Sequence, residues 1–301
     1  MFPQLTIVFA ATVLILLLSI NAYEAHQLKK FDKNKHENKE FEVDYAIGAY
    51  RIAKPHFNFP STKFKRGVLL IHGFSASTSE FKGLVKELEK SEVPFLAPTL
   101  TGFGLYENNL LKAARAEDWK RDVVYAYNQL SEMCEVVDVI GHSMGGLLAL
   151  HLASLKPINK LILTSPYLRE KEHHTWTKKF LLRSNFSFLI KKIKPVIVKS
   201  TLSDKSKYES ERLVFSTVPI QSIESLWKLT ENIDDLKFNI KEVHCLFGKK
   251  DSTIELDWTS DFLNKKFREF NEYLFEESGH NVLEDRERIK VIEKVCTILN
   301  S

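Results

Sequence analysis

The sequence predicts an α/β fold, a mainly parallel sheet flanked by helices, and three observations carry that expectation. Strand-like and helix-like segments alternate from Gly67 to the C terminus, as a parallel sheet with helices on both faces requires. Two of the strand segments, Gly67-Val68-Leu69-Leu70-Ile71 and Val136-Val137-Asp138-Val139-Ile140, are almost continuously apolar, the pattern of strands covered on both sides. The second runs straight into Gly141-His142-Ser143-Met144-Gly145 and then Leu147, Leu148, Leu150 and Leu152, so that a strand, a sharp turn and a helix meet. At 301 residues and 44% hydrophobic, the chain is long enough for one large core.

The chain begins with an apolar segment. Residues 1–23 carry no charged side chain, and Pro3 to Ala22 is just long enough to cross a hydrocarbon core as a single N-terminal transmembrane helix. A cleaved signal peptide is the rival reading. No Lys or Arg precedes the apolar stretch and no A-x-A site follows it, which favours an uncleaved anchor. Lys29, Lys30, Lys33, Lys35 and Lys39 lie just beyond, and the positive-inside rule then puts the remainder on the cytoplasmic side of the membrane. Residues 24–45 have the polar, charged composition of a tether, leaving 46–301 as the folded domain.

After the strand ending at Ile71, the small-residue loop His72-Gly73-Phe74-Ser75-Ala76-Ser77 precedes a helix expected from Glu80 to Lys90. Such a loop presents backbone N–H groups, and that of Phe74 is the candidate donor to an oxyanion; its ring suits either a pocket wall or ordinary core. His72 and His142, at strand ends, read as hydrogen-bonding residues rather than bases. The second strand delivers Ser143 on a turn too sharp for side chains at Gly141 and Gly145. Ser143 therefore stands out at the sheet edge with the Met144 N–H and the helix N terminus facing it.

Between the strands Lys160–Thr164 and Val243–Phe247 lies an insertion, 167–235, longer than a crossover needs and expected as a helical cap. From Arg169 to Arg212 it holds 12 Lys or Arg against 5 Asp or Glu, although the whole chain is only +4. Trp176, Phe180, Leu181, Leu182, Phe186, Phe188, Leu189, Ile190 and Ile193 are interleaved with these charges. The mixture suits a lid that touches anionic lipid headgroups, or equally an apolar face packed on the core beneath solvated lysines. No nucleic-acid-binding module accompanies the basic stretch.

Asp251 follows the next strand in Gly248-Lys249-Lys250-Asp251, and His280 follows the strand Glu272–Phe275 in Ser278-Gly279-His280. A serine hydroxyl attacks poorly until a neutral imidazole takes its proton, and the imidazole needs a carboxylate to fix its tautomer. Ser143, Asp251 and His280 supply these groups in the order nucleophile, acid, base. Glu255 and Asp257 compete for the acid role, but a position immediately past a strand end favours Asp251. A final helix is expected near Glu284 to Leu299, with Ile289, Ile292, Val295 and Leu299 on one side.

On these motifs, together with Ala97-Pro98-Thr99-Leu100-Thr101-Gly102-Phe103-Gly104 and Glu117-Asp118-Trp119, the chain from about 46 to 301 resembles the α/β-hydrolase superfamily, and within it small bacterial carboxylesterases and monoacylglycerol lipases. The resemblance implies the α/β-hydrolase fold, Ser143 as nucleophile, Asp251 as acid, His280 as base, and Phe74 and Met144 as oxyanion donors. Where such enzymes often carry Gly-His-Gly, this chain has Gly102-Phe103-Gly104, so whatever the histidine does to the pocket is absent or replaced.

Other chemistries find little support. Cys134, Cys245 and Cys296 are too few for a disulfide framework or zinc site and read as buried free thiols. His173 and His174 are adjacent and lack an acidic partner at ligand spacing, so no metal is implied. Gly102-Phe103-Gly104 lacks the third glycine of a dinucleotide loop, and no cofactor follows. The expected function is a serine hydrolase acting on a small acyl ester, lipid-like by virtue of the anchor and cap. Amide or thioester hydrolysis, or a non-catalytic binding domain of the same fold, are the alternatives.

Overall fold

The computed structural model describes residues 42–44, 46, 49–59, 63–105, 109–171, 191–192, 195–198, 213–215, 217–238 and 240–301, with scattered residues between 12 and 26. Strands β1 (Val43–Asp44) and β2 (Ala49–Tyr50) form a small antiparallel ribbon. They are followed by β3 (His56–Asn58), β4 (Phe64–Ile71), β5 (Phe95–Ala97), β6 (Cys134–His142), β7 (Ile158–Thr164), β8 (Val196–Val198), β9 (Thr217–Pro219), β10 (Ile240–Gly248) and β11 (Phe270–Phe275). The described α-helices are α1 (Lys82–Lys90), α2 (Asn109–Ala113), α3 (Ala116–Met133), α4 (Met144–Ala153), α5 (Ile220–Leu229), α6 (Leu256–Lys266) and α7 (Arg288–Asn300).

Seven of these strands make the central sheet, in the order β11-β10-β7-β6-β4-β5-β3. All neighbours run parallel except the edge strand β3, which is antiparallel to β5. From β4 the chain turns outward to β5 on one side and then returns to place β6 on the other, so β4 and β6 flank a topological switch point. In such sheets ligands bind at the carboxyl ends of the strands beside that point. Register pairs Ile71 with Gly141, which brings the loop after β4 and the turn after β6 out side by side.

The sheet is covered on both faces, as the apolar runs required. One core layer includes Leu69, Ile71, Val139, Leu161 and Phe247 beneath residues of α3, α4 and α5; the other includes Val68, Leu70, Ile140, Ile162 and Leu246 beneath α1 and α7. Every residue of α4 is buried, consistent with a helix that is apolar all round and enclosed between sheet and neighbouring helices. At the far end of the sheet the buried Lys160 ammonium donates to Ile298 O at 2.6 Å and Ser301 Oγ at 2.7 Å, placing a cation at the negative end of α7.

Several expectations change in detail. Val136 is 42% exposed, because β6 begins at Cys134 and its first residues project past the cover of the helices. The segment from Thr78 to Phe81 is a 3-10 turn, and α1 starts only at Lys82. The final helix starts at Arg288, not near Glu284, because the residues before it form a turn tied to the 276–280 segment: Asp285 Oδ2 accepts from Gly279 N at 2.6 Å and Glu287 Oε2 from Ser278 Oγ at 3.1 Å. Within that helix the buried face is Val291, Val295, Ile298 and Leu299, and Ile289, about 200° around the axis from Val291, is 67% exposed. Cys134 and Cys245 are buried free thiols as expected, but Cys296 is only partly covered.

The expected helical cap contains, among its described residues, the antiparallel ribbon β8–β9 leading into α5. Trp176, Phe180, Leu181, Leu182, Phe186, Phe188, Leu189, Ile190 and Ile193, and the pair His173 and His174, lie outside the described residues. So do most of the expected anchor and tether at 1–45. Among the described residues, no helix is long and apolar enough to cross a membrane.

Candidate active site

The local structure at Ser143 follows from close approach. Its backbone sits at φ 52° and ψ −114°, a conformation that side-chain-bearing residues adopt at a cost of order 1–3 kcal/mol. A Cβ at Gly145 would run into the Ile71 carbonyl, and one at Gly141 into the Gly145 carbonyl, so both positions must be glycine for the turn to pass between β4 and β6. The strained residue is held from outside: Ser143 N donates to Thr164 O at 2.9 Å, and Ser143 O accepts from Gly146 N at 3.0 Å and Tyr167 N at 3.0 Å. Helix α4 begins at the next residue, so its positive end faces the serine.

The three side chains named from sequence come together here. His280 Nε2 lies 2.8 Å from Ser143 Oγ, and His280 Nδ1 lies 2.7 Å from Asp251 Oδ2. Asp251 Oδ1 accepts from Thr253 N at 2.7 Å and Ile254 N at 3.2 Å. Burial pushes the Asp251 carboxyl up, but the charge and hydrogen bond of His280 and the two backbone donors outweigh it and hold the group below the usual carboxylate value. Glu255 precedes the first turn of α6 and Asp257 lies within it; the carboxylate bonded to His280 is Asp251.

These groups open on a cavity of about 170 Å³. Phe74, Ala76, Ile197, Val218, Leu226 and Trp227 form an apolar wall, while Tyr167, Glu170, Thr253 and Asn281 add polar groups. Tyr167 Oη donates to Glu170 Oε2 at 2.8 Å; burial first, then that carboxylate, push the phenol well above its ordinary value. Phe74 lines the cavity beside Ser143, and Met144 is the first residue of α4, so its N–H has no acceptor within the helix. Neither N–H is taken by a backbone acceptor among the described residues. The arrangement joins a serine hydroxyl to an imidazole and sets a carboxylate behind that imidazole, the groups that together can activate an oxygen for attack.

His72 and His142, the histidines at the ends of β4 and β6, are held in hydrogen bonds. His72 Nδ1 contacts Gly73 O at 2.9 Å and its Nε2 accepts from Leu100 N at 3.0 Å. His142 Nδ1 contacts Thr164 O at 3.0 Å and its Nε2 contacts Asn281 Oδ1 at 3.1 Å. Gly102 and Gly104 take positive φ, 87° and 68°, and carry Phe103 into the core, where its ring meets those of His72, Phe74 and Trp119 at 5.4, 5.7 and 5.5 Å. Phe103 thus supports the loop from beneath. Phe103→Ala should cost about 3–5 kcal/mol of stability, measured by urea unfolding; a loss below about 1 kcal/mol would mean that the site collapses around the deletion.

Sequence reasoning missed Glu80, Tyr167, Glu170 and Asn281. Glu80 is 1% exposed and accepts from Gly73 N at 2.6 Å. Its signal was weak, because a glutamate at the start of a helix is ordinarily a surface residue. Asn281 could have been found as the neighbour of His280, and Tyr167 with Glu170 as the residues just past β7.

Residues 62–287 match the family model described as serine aminopeptidase, S33, and the chain belongs to this family, within the α/β-hydrolase superfamily. A thermostable monoacylglycerol lipase from a Bacillus species is 33% identical over 91 residues, 30% of this chain; the match spans 36% of that relative's length. A carboxylesterase from Bacillus subtilis is 25% identical over 241 residues, covering 78% of this chain and 92% of that protein. A structure of the metagenome-derived lipolytic enzymes LipS and LipT superposes with a TM-score of 0.69 at 20% identity, over 83% of this chain and 98% of that one, a likeness of fold.

Proposed function

We propose that this family member is a serine hydrolase that cleaves carboxylic esters through an acyl-enzyme, of the carboxylesterase or monoacylglycerol lipase type. The observation that carries the reading is the continuous hydrogen-bonded relay Ser143–His280–Asp251 at the mouth of a mainly apolar cavity. His280 takes the Ser143 proton as Oγ attacks the ester carbonyl carbon. The oxyanion so formed is held by the Phe74 and Met144 N–H groups, and His280 then passes the proton to the departing alkoxide. Water enters, gives a proton to His280 and attacks the acyl carbon; as the intermediate collapses the C–Oγ bond breaks, His280 returns the proton to Ser143 Oγ, and the acid is released. Asp251 holds the Nδ1–H tautomer throughout.

The apolar wall favours a lipid-like acyl chain. The full chain, purified in mild detergent, should hydrolyse p-nitrophenyl esters with kcat/KM rising about 4-fold per added methylene, the equivalent of about 0.8 kcal/mol, until the acyl group outgrows the cavity. Activity that falls from acetyl upward would remove the lipid-like assignment.

We further propose that residues 1–23 form an uncleaved anchor, 24–45 a tether and 46–301 the hydrolase domain with a cap at about 167–235, the lysines after the apolar stretch setting a cytoplasmic orientation. The anchor is supported by the length and uncharged character of that stretch. The family's description as a serine aminopeptidase keeps amide cleavage as the second reading. Comparing an ester and an anilide of one acyl group separates the two.

A further inference from the structure

We infer that His72 and Glu80 are positioning residues of the oxyanion hole, fixing the plane of the Gly73–Phe74 peptide so that the Phe74 N–H faces Ser143. The inference rests on the triad reading above and adds two side chains to it.

Gly73 is gripped at both ends. Its N–H donates to Glu80 Oε1 at 2.6 Å, and its carbonyl accepts from Ala76 N at 3.4 Å and faces His72 Nδ1 at 2.9 Å. The direction of the His72 contact is determined by its other nitrogen. Leu100 N–H donates to Nε2 at 3.0 Å, so a neutral ring carries its proton on Nδ1 and donates it to Gly73 O. The ring is neutral because burial drives its pKa down to about 4, and Phe103 closes over it. In a trans peptide the N–H points opposite to the preceding C=O. With the Gly73 carbonyl drawn toward His72, the Phe74 N–H is turned to the other side, where Phe74 and Ser143 line the same cavity. The loop is also pressed against the elbow: a Cβ on Gly73 would lie 3.4 Å from Ser143 Cβ and 3.2 Å from His142 Cδ2. Rotation of this peptide would remove the donor while leaving Ser143, His280 and Asp251 in place.

The test uses the full chain and four variants. His72→Asn keeps an N–H where Nδ1 stands and His72→Leu does not; Glu80→Gln keeps an oxygen for Gly73 N–H and Glu80→Leu does not. Each is assayed for kcat, KM and melting temperature. Each is also assayed for inhibition by an alkyl trifluoromethyl ketone, whose carbonyl carbon takes Ser143 Oγ as His280 takes the proton, leaving an oxyanion, and by the unreactive alcohol of the same chain length. The leucine variants should lose about 100-fold in kcat with KM little changed, and the same factor in ketone affinity, while alcohol affinity holds; His72→Asn and Glu80→Gln should recover most of it. If the leucine variants lose melting temperature but keep kcat and the ketone-to-alcohol ratio, or if the conservative variants do no better, the residues serve the fold alone and the inference is overturned. A wild-type chain that neither cleaves ester nor binds the ketone covalently would instead overturn the triad reading beneath it.

Discussion

Ser143→Ala should lower kcat by about 10⁶-fold on any ester that the wild-type chain cleaves, and abolish labelling by a fluorophosphonate. The substitution removes the oxygen bonded to His280 Nε2 at 2.8 Å and nothing that the fold uses. The bonds that hold residue 143 in its strained backbone run through its main-chain N–H and C=O, and its side chain makes no cap to α4. The variant should therefore melt close to wild type and bind substrate normally, with the loss confined to kcat. If it retained more than about a hundredth of the activity, well above what a triad without its nucleophile leaves, another residue would be the nucleophile. A non-catalytic domain of this fold would bind ligand equally well with or without the hydroxyl and take no label.

What could be read from the sequence was the part encoded locally. The elbow is a run of adjacent residues whose glycines, apolar strand and apolar helix each have a short-range reason, and Asp251 and His280 are marked by the strands that precede them. The loop at Phe74 was legible in the same way. What escaped depends on contacts between distant segments. The tautomer of His72 is set by Leu100, 28 residues later, and Glu80 is buried because the loop folds back on it. Ile289 looked like core because it stands three residues before Ile292, but the buried stripe runs through Val291, Val295 and Ile298, which leaves it outside. The Phe103 position is instructive too. Its departure from a familiar motif pointed to the pocket, whereas the side chain turned into the core beneath the loop.

Asp251→Asn should leave the geometry nearly intact and still lower kcat by about 10⁴-fold. Asp251 uses both oxygens: Oδ2 faces His280 Nδ1, and Oδ1 accepts from the N–H groups of Thr253 and Ile254. An amide has one oxygen to offer. Turned toward the two backbone donors, it leaves its NH₂ facing His280, and Nδ1 must then become an acceptor. The ring proton moves to Nε2, where it faces Ser143 Oγ and cannot take the serine proton. Turned the other way, the amide sets NH₂ against two buried N–H groups, a worse conflict than the first. Fluorophosphonate labelling should slow in proportion to kcat while KM stays near wild type, and a loss of less than tenfold would exclude Asp251 as the acid. The same carboxylate makes a prediction about pH with a definite sign. Its native value lies below the unfolded one, about 3.9, so its contribution to stability is complete above that value and is lost as pH falls through the native value. The acid unfolding of Asp251→Asn, which has no such group to protonate, should therefore show a shallower dependence on pH below about 4 than that of the wild type.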